Sequence, residues 1–448
     1  MILPRSLGLP GAAALGLLAL AACSPGRETP AKSAGPAAGP AASASATPPT
    51  PVHIPSLDPP AAPGSLGPSL AVAGSDLLLT WVEPTGDFAA PIYQMRLARF
   101  GTAGTAGGTG AARWSTPVTV ARGADLFANW ADFPGAVAGP GGEVLAHWLV
   151  KRGETDSAQL ARSTDGGATW KPLGPLQADP EAGEHGFVSY AVEDGGFRAF
   201  WLEGSEGSEG GRMSLRSARI SGGTAGTGGS GGSIGPSELL DDRVCYCCQT
   251  AAAPTAAGAV VVYRDRSDKE IRDISALRRT AGGWAKPVTV HADGWEIPGC
   301  PVNGPAVAAA GKLVAVAWFT AAPPGPRVEL AFSTDAGASF GPPVLIDGGH
   351  PVGRVDVKLV GPAAVVSWVA STDGNEKAAI WLRRVRPDGQ AGPPFEVPGT
   401  RSVRASGFPR LGLAHAGDIG GDRALLAWVD DGEPSRLRAT LLPLAQLP

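Results

Sequence analysis

The segment "RVCYCCQT", residues 243–250, places three of the chain's five cysteines within four positions. These are Cys245, Cys247 and Cys248, and Cys300 follows about fifty residues later. Thiols grouped in this way form disulfides in an oxidising compartment, or bind a thiophilic metal ion when they are reduced. Which chemistry applies depends on the compartment and on the elements that position the four sulfur atoms.

The N-terminus indicates the compartment. It reads "MILPRSLGLPGAAALGLLALAACSPG", with one arginine and then an apolar run from Gly11 to Ala22 that is too short to span a bilayer and fits a secretory signal. The end of this run, Leu20-Ala21-Ala22-Cys23, resembles the lipobox of bacterial lipoproteins. That resemblance implies removal of residues 1–22 and lipidation of Cys23. The alternative is an ordinary signal peptide with an incidental cysteine.

Residues 23–63 are dominated by Ala, Pro, Ser and Gly, and such a segment cannot bury enough apolar surface to offset its ordering entropy. We therefore expect a disordered tether that holds the protein at the membrane. Ser24 resembles the outer-membrane sorting pattern, so we expect a lipid-anchored protein of the bacterial outer membrane, facing the periplasm or the surface. The formal net charge of −4, with both signs interspersed, argues against nucleic acid as a partner.

One strand pattern recurs through residues 64–448. Each copy is a short apolar run that ends in an aromatic residue, as in "LLLTWVEP", "VAVAWFTA" and "ALLAWVDD". The seven aromatic residues are Trp81, Trp148, Trp201, Tyr263, Trp318, Trp368 and Trp428. Strands before and after each run, together with Gly- and Pro-rich turns, make four antiparallel strands per unit. This all-β pattern predicts a β-propeller of seven four-stranded blades, with six blades as the alternative.

The seventh unit ends after its third strand. We expect the segment 51–58, which contains "VHIPSL", to supply the missing outer strand and close the ring. Such closure would remove the exposed edges of the first and last sheets.

Two turns resemble the Asp box, Ser-x-Asp-x-Gly-x-x-Trp/Phe, of sialidases and many other propellers. They read "STDGGATW" and "STDAGASF". The resemblance implies a structural role, in which the aspartate accepts backbone donors, glycine takes positive φ and the aromatic residue packs between sheets. The residues concerned are Ser163, Asp165, Gly167, Trp170, Ser333, Asp335, Gly337 and Phe340.

A second resemblance covers residues 243–306. The strings "CYCCQT", "YRDRSDKEIRDI" and "HADGWEIPGCPVNGPA" are similar to a group of bacterial envelope proteins that are called sialidase-like because of their Asp boxes. This group has no proven reaction. The resemblance implies a propeller and leaves its activity open.

In a propeller, the loops that connect one blade to the next lie on one face, together with the turns between second and third strands. We call this the crossover face, and the opposite one the hairpin face. The hairpin face receives small, featureless turns. The crossover face receives residues 125–134, 181–190, 241–250, 264–273, 291–305, 347–357 and 400–410, which are rich in charged and aromatic side chains. We expect the binding site there. The candidate ligand-binding residues are Asn129, Trp130, His185, Arg243, Arg264, Arg266, Trp295, Asn303, Arg354 and Arg410.

The cysteines lie in two successive crossovers of this face. If they form disulfides, one bridge joins the triplet to Cys300 and stabilises adjacent blades by roughly 2–4 kcal/mol. The remaining pair would then be vicinal or one residue apart. The alternatives are a copper or zinc thiolate site, with His291 or His185 as further ligands, and thiol redox chemistry. Apart from this alternative, we expect no cofactor.

A sialidase needs arginines for the substrate carboxylate and a tyrosine nucleophile with carboxylate partners. Tyr263, Asp265 and Asp132 are the candidate catalytic residues. The family's Phe-Arg-Ile-Pro segment is missing, however, because "VHIPSL" has histidine in place of arginine. The three-arginine site therefore cannot be assigned position by position.

Two functions follow. The first is an envelope-anchored propeller that binds acidic glycans at its central mouth, with exo-glycosidase activity of the sialidase type left uncertain. The second is a non-catalytic propeller that recruits an envelope protein or binds a metal through its cysteines. In either case we expect a monomer.

Overall fold

A computed structural model describes residues 56–86, 92–101, 113–153, 155–179, 183–204, 212–221, 232–374, 376–414, 423–430 and 432–447. Within these ranges the secondary structure is β-strand, with three short 3-10 helices (Pro140–Gly142, Arg404–Ser406 and Leu444–Gln446) and no α-helix. None of the described helices has the length and apolar character needed to cross a membrane. The predicted signal peptide, Cys23 and residues 24–55 lie outside the described residues.

The strands form seven consecutive antiparallel sheets, each built from one continuous stretch of sequence. In blades 1 to 3 the strands are β1 (Leu66–Ala73), β2 (Asp76–Thr85), β3 (Ile92–Gly101), β4 (Arg113–Trp114), β5 (Val118–Gly123); β6 (Leu126–Phe127), β7 (Gly135–Ala138), β8 (Val144–Arg152), β9 (Thr155–Ser163), β10 (Lys171–Pro175); and β11 (His185–Glu193), β12 (Gly196–Gly204), β13 (Met213–Ser221), β14 (Glu238–Val244).

In blades 4 to 7 the strands are β15 (Ala251–Thr255), β16 (Gly258–Arg264), β17 (Ile274–Thr280), β18 (Gly283–Trp284), β19 (Val288–His291); β20 (Ala306–Ala310), β21 (Leu313–Thr320), β22 (Arg327–Ser333), β23 (Val344–Asp347); β24 (Pro351–Val360), β25 (Ala363–Ser371), β26 (Lys377–Val385), β27 (Phe395–Arg401); and β28 (Arg410–Ala414), β29 (Arg423–Asp430), β30 (Arg436–Pro443).

The first strands of neighbouring blades contact one another around the whole ring. β1 contacts β7, the contacts continue through β11, β15, β20 and β24 to β28, and β28 contacts β1 again. The chain is therefore a seven-bladed β-propeller whose first strands line a central channel. The prediction of an all-β propeller with seven blades is confirmed, and the six-bladed alternative is excluded.

The recurring tryptophans explain why the sheets pack in this way. Trp81, Trp201 and Trp318 lie on second strands and are completely buried in the cores that contain residues of two neighbouring blades. Each indole N–H still has an acceptor, since Trp81 donates to the Glu83 carboxylate at 2.8 Å and Trp318 to that of Asp293 at 2.8 Å. The large ring supplies buried apolar area, and the acceptor removes the cost of burying its polar atom.

Blade 2 differs from the others in its first strand. β6 and β7 both pair with β8, and residues 128–134 leave the sheet between them. We call this segment the cap loop, because it lies over the crossover end of the channel.

The seventh sheet has three strands. Beyond β30, Ser56 forms an isolated bridge with Thr440, and the Leu57 N–H donates to the Ala439 carbonyl at 2.8 Å. Arg438 also binds Asp58 at 2.7 Å. Residues 51–55 of the predicted closing strand lie outside the described residues, so closure by an N-terminal strand stays a prediction.

Candidate functional site

The four cysteines predicted to meet on the crossover face form two disulfides. Cys247–Cys300 joins the loop before blade 4 to the loop before blade 5, which is the predicted link between adjacent blades. The second bridge, Cys245–Cys248, differs from the expectation of a vicinal or one-residue-apart pair, since three positions separate its cysteines. A disulfide of Cys247 with Cys300 leaves only this pairing for the other two.

Beside the disulfides, three arginines surround one carboxylate. Arg266 and Arg272 bind Glu270 at 3.0 and 2.8 Å, and Arg243 lies 3.6 Å from the same carboxylate. The hydrogen bonds from Arg266 are the main reason that the pKa of Glu270 falls to about 2. Arg243 also pairs with Asp268. The predicted ligand-binding residues Arg243 and Arg266 therefore belong to a salt-bridged cluster.

Two further predicted arginines hold backbone segments together. Arg264 is 1% exposed and donates to the carbonyls of Asn303, Arg272 and Phe319 at 2.6–2.9 Å. Arg354 is 5% exposed and donates to the carbonyls of Ser402, Val403 and Gly407 at 2.9–3.0 Å. Because these donors are directed at buried carbonyls, the two guanidiniums position neighbouring loops.

Asn303 has a similar positioning role. Its Nδ2 lies 3.1 Å from the Val352 carbonyl, and its Oδ1 accepts the Arg354 N–H at 2.8 Å. His185 is buried against the Asp156 carbonyl at 3.1 Å, and the Asn129 side chain accepts the Ala131 N–H at 2.9 Å. These three predicted ligand-binding residues are engaged within the protein.

The two tryptophans predicted to bind a ligand, Trp130 and Trp295, pack against other side chains. Trp295 is 7% exposed and is covered by the Arg264 guanidinium, 4.8 Å from the ring centroid. Trp130 is half-buried and stacks on Phe408 with a centroid distance of 6.1 Å. Arg354 approaches the Trp130 ring at 5.6 Å. Both rings are therefore covered in part by neighbouring side chains.

The candidate nucleophile Tyr263 lies in the core between blades 3 and 4. It is 1% exposed, and its hydroxyl donates to the Asp241 carboxylate at 2.7 Å. Burial, together with the charge of Asp241, raises the pKa of Tyr263. Asp265 is nearby and accepts from Ser275 at 3.2 Å, and burial raises its pKa as well. The structure thus places these two candidates together, but away from the channel.

The cap loop, residues 128–134, covers the crossover end of the channel. The Gln249 side chain donates to the Ala131 carbonyl at 2.7 Å, and the Phe187 N–H donates to the Asp132 carboxylate at 2.8 Å. On the other side, Arg410 lies 4.1 Å from the Phe133 ring centroid. The loop of blade 2 therefore contacts segments of blades 3, 4 and 7 across the axis.

Beneath the cap loop lies a cavity of about 590 Å³, which is within the usual range of small-molecule sites. Its wall comes from the first strands of all seven blades and includes Ser69, Ser189, Tyr190, Thr250, Asp356, Lys358 and Arg410. At the hairpin end the lining residues Val72, Pro254 and Ala310 are exposed to solvent. Within the residues that the structure describes, the channel is thus covered at one end and reaches solvent at the other.

The charges along the wall sum to a positive value. Asp356 binds Lys358 at 2.7 Å and also accepts the Leu411 N–H at 2.9 Å. Arg410 has no ion pair or hydrogen bond to any described residue, although the Asp356 charge opposes the fall in its pKa that burial causes. Two cations against one carboxylate leave one net positive charge, provided that Asp132 and His147 are neutral.

Both of these side chains are neutral near pH 7. Burial raises the pKa of Asp132 to about 8, the Phe187 N–H opposes this rise, and the charge of Asp156 adds to it. Burial lowers the pKa of His147 to about 4, against the effect of the Phe133 backbone. A β-carbon on Gly186 would lie 1.8 Å from the Asp132 carboxylate, so glycine is required for this approach. Of the predicted site residues, Asp132 and Arg410 are the two that face the cavity.

The cavity also contains residues that the sequence did not single out. His147 lies on a second strand and reaches the channel because Gly135 in front of it has no side chain; a β-carbon there would lie 2.7 Å from the imidazole. Tyr190 contacts the His147 ring at 5.5 Å, and its buried hydroxyl has no hydrogen-bond partner within the described ranges. The signal that could have found Ser69, Tyr190 and Lys358 is their position on first strands.

The two turns with aspartates form matching hydrogen-bond networks. Asp165 accepts from the backbone and hydroxyl of Thr169 at 2.9 and 2.6 Å, and Asp335 accepts from Ser339 at the same distances. These bonds lower the pKa of both aspartates to about 2, with the side-chain bond of Thr169 or Ser339 as the largest cause. Gly167 takes φ +95° in this turn. Both carboxylates are occupied by their own turns.

Comparison with known proteins gives likenesses of fold. No family model matches the chain. No curated protein matches it either. Among solved structures, it is similar to the sialidase of Trypanosoma rangeli (13% identity, 69% of this chain and 54% of that chain, TM-score 0.42). It is also similar to the GH93 α-L-arabinofuranosidase of Fusarium graminearum (16% identity, 70% of this chain and 94% of that chain, TM-score 0.45). A third similar structure is AofleA of Arthrobotrys oligospora (12% identity, 75% of this chain and 87% of that chain, TM-score 0.42).

The match to this chain spans about half of the sialidase, 54% of its length. At these identities the comparisons concern architecture alone. The class of protein is defined by the strand pairing and the channel of this chain: a seven-bladed propeller with a capped, positively charged channel.

The positioning role of Arg354 is testable. We expect Arg354→Met to lower the free energy of unfolding by roughly 3 kcal/mol or more, because the carbonyls of Gly407, Ser402 and Val403 would lose their donors. Arg404→Met is the matched control, since Arg404 is exposed and lies over the same Trp130 ring at 5.8 Å. Chemical denaturation followed by tryptophan fluorescence measures both. Equal stability of the two variants would contradict the assignment.

Proposed function

We propose that this protein binds an acidic sugar in its central channel. The observation that supports the proposal is the Arg410 guanidinium, which lines the cavity without an ion pair to any described residue. Its planar fork suits a carboxylate, which can accept two parallel hydrogen bonds. With Asp356 paired to Lys358, an anionic ligand would be the partner that balances the remaining charge.

The rest of the wall suits a ligand with several hydroxyls. Ser69 and Ser189 are lining residues of the cavity and carry hydroxyl groups. The rings of Phe133 and Phe408 border the same space and provide apolar contact for a sugar ring.

Arg410→Met should weaken binding of glucuronate or N-acetylneuraminate at least tenfold, because a hydrogen bond to a charged group contributes about 1.5–3 kcal/mol. Isothermal titration calorimetry of the purified chain measures this change. Glucose is the matched neutral ligand, and we expect it to bind weakly to both proteins. Arg404→Met should bind glucuronate like the wild-type protein. A chain that binds no acidic sugar, or binds glucose equally well, would contradict the proposal.

Binding should also depend on pH through Asp132. Below about pH 8 this carboxyl is protonated and neutral, and above it a second negative charge enters the cavity. Affinity for an acidic sugar should therefore fall as the pH rises through about 8, while the ligand's own carboxylate stays ionised. His147, with a pKa of about 4, does not titrate in this interval.

The matched variant for this dependence is Asp132→Asn, which has no titratable carboxyl. Its affinity for the acidic sugar should stay constant between about pH 6.5 and about pH 9 in the same calorimetric assay, since the neutral amide of asparagine does not ionise. A fall of equal size in both proteins would assign the pH dependence to another group.

A second candidate function is glycoside hydrolysis. It is favoured by Asp132, because a carboxyl that is protonated at neutral pH can act as a general acid, and Asp356 lines the same cavity. Hydrolysis predicts release of methylumbelliferone from a sialoside or glucuronide, with loss of at least a hundredfold in Asp132→Asn. The Tyr263 hydroxyl is already bound to Asp241, so Tyr263→Phe should have no comparable effect. No release from any acidic glycoside would remove this candidate.

We also propose that Cys23 is lipidated and holds the propeller at the outer membrane of a bacterial envelope. The apolar run before Cys23 and the Pro-rich segment after it support this proposal. Cys23→Ser should move the protein from the membrane fraction to the soluble fraction after cell lysis. Retention of this variant in the membrane would contradict it.

A further inference from the structure

Three of the four cysteines bring their sulfur atoms close together. The sulfurs of Cys245, Cys247 and Cys248 all lie within 4.8 Å of one another, and those of Cys245 and Cys247 are 3.9 Å apart. Cys300 is bonded to Cys247, so its sulfur borders this group of three without belonging to it. The arrangement joins two loops that are separated by about fifty residues of sequence.

This spacing is close to what a tetrahedral thiolate site requires. A metal–sulfur distance of about 2.3 Å corresponds to sulfur atoms roughly 3.8 Å apart. Reduction would allow the two bonded pairs to separate to this distance, with Cα atoms that are already 5.7 and 6.1 Å apart. We propose that the reduced cysteines bind one thiophilic metal ion, so that reduction converts the two disulfides into a metal–thiolate centre.

The surroundings fit such a centre. Cys245 and Cys248 are 1% and 2% exposed, whereas Cys300 is exposed and Cys247 is half-buried. The Arg272 guanidinium lies 3.5 Å from the Cys245 sulfur and is fixed by Glu270. Its positive charge would offset the net negative charge of four thiolates around one ion, as charged groups beside metal ligands do elsewhere. Reductant and ion would approach from the exposed side, at Cys300.

The reduction balances with a dithiol as the reductant. One dithiol transfers two electrons and two protons to a disulfide, which yields two cysteine thiols, and the dithiol closes its own disulfide. Two dithiols therefore release all four cysteines. The metal ion then binds the four sulfur atoms and displaces their protons to solvent. No other oxidant or reductant is needed, and the proposal is independent of the sugar-binding function.

The experiment uses the full chain, purified in detergent, reduced with dithiothreitol and desalted without oxygen. Cu(I) and Zn(II) are added in separate arms, and native mass spectrometry and competition with a chromophoric chelator measure binding. We expect one ion per chain, protection of the four thiols from iodoacetamide, and full retention of the β-sheet signal in circular dichroism. Binding in only one arm identifies the ion.

The variants separate the proposed ligands from other thiols. Cys300→Ser should weaken binding at least tenfold, and replacement of Cys245, Cys247 and Cys248 together by serine should abolish it. Cys23→Ser is the matched control, since it removes a cysteine outside the cluster and should bind like the wild-type chain. The proposal is overturned if the reduced chain binds neither ion, if the triple variant still binds, or if reduction unfolds the chain, because the fold must hold the four sulfurs together.

Discussion

The structure depends on the burial of large aromatic side chains between neighbouring sheets. A tryptophan can fill this space only if its N–H finds an acceptor, because an unpaired polar atom in a core is costly. Trp201 donates to Glu203, and Trp368 donates to Asp347. Trp428 uses the Gly399 carbonyl. Where these tryptophans lie, each blade is thus fixed against its neighbour by an apolar contact with one polar requirement.

This constraint also determines what the arginines can do. A guanidinium directed at several carbonyls is held in place and is unavailable to a ligand, as Arg264 and Arg354 illustrate. Arg410 sits between aromatic rings and faces the cavity, so its hydrogen-bonding groups are not consumed by the backbone. The difference between a structural and a binding arginine lies in the orientation of the side chain and does not follow from its type.

Much of the fold could be predicted from sequence, because the aromatic repeat and the turn residues are local patterns. The proximity of Cys300 to the triplet also follows, since both loops lie on one face of a propeller. The burial of Trp295 could not be predicted, because it depends on Arg264 at the end of a strand about thirty residues earlier in the sequence. The same holds for His147, which reaches the channel only because Gly135 leaves space in front of it.

The cap loop gives the channel a blind end. A tube that is open at both ends could hold an internal stretch of a long polymer, with chain continuing on either side. Here residues 128–134 obstruct one side, through the bonds of Asp132 and Ala131 to other blades. A molecule can therefore enter from one direction only and must present its extremity. Single saccharides and the terminal units of branched chains satisfy this geometry, whereas the middle of an unbranched polysaccharide does not.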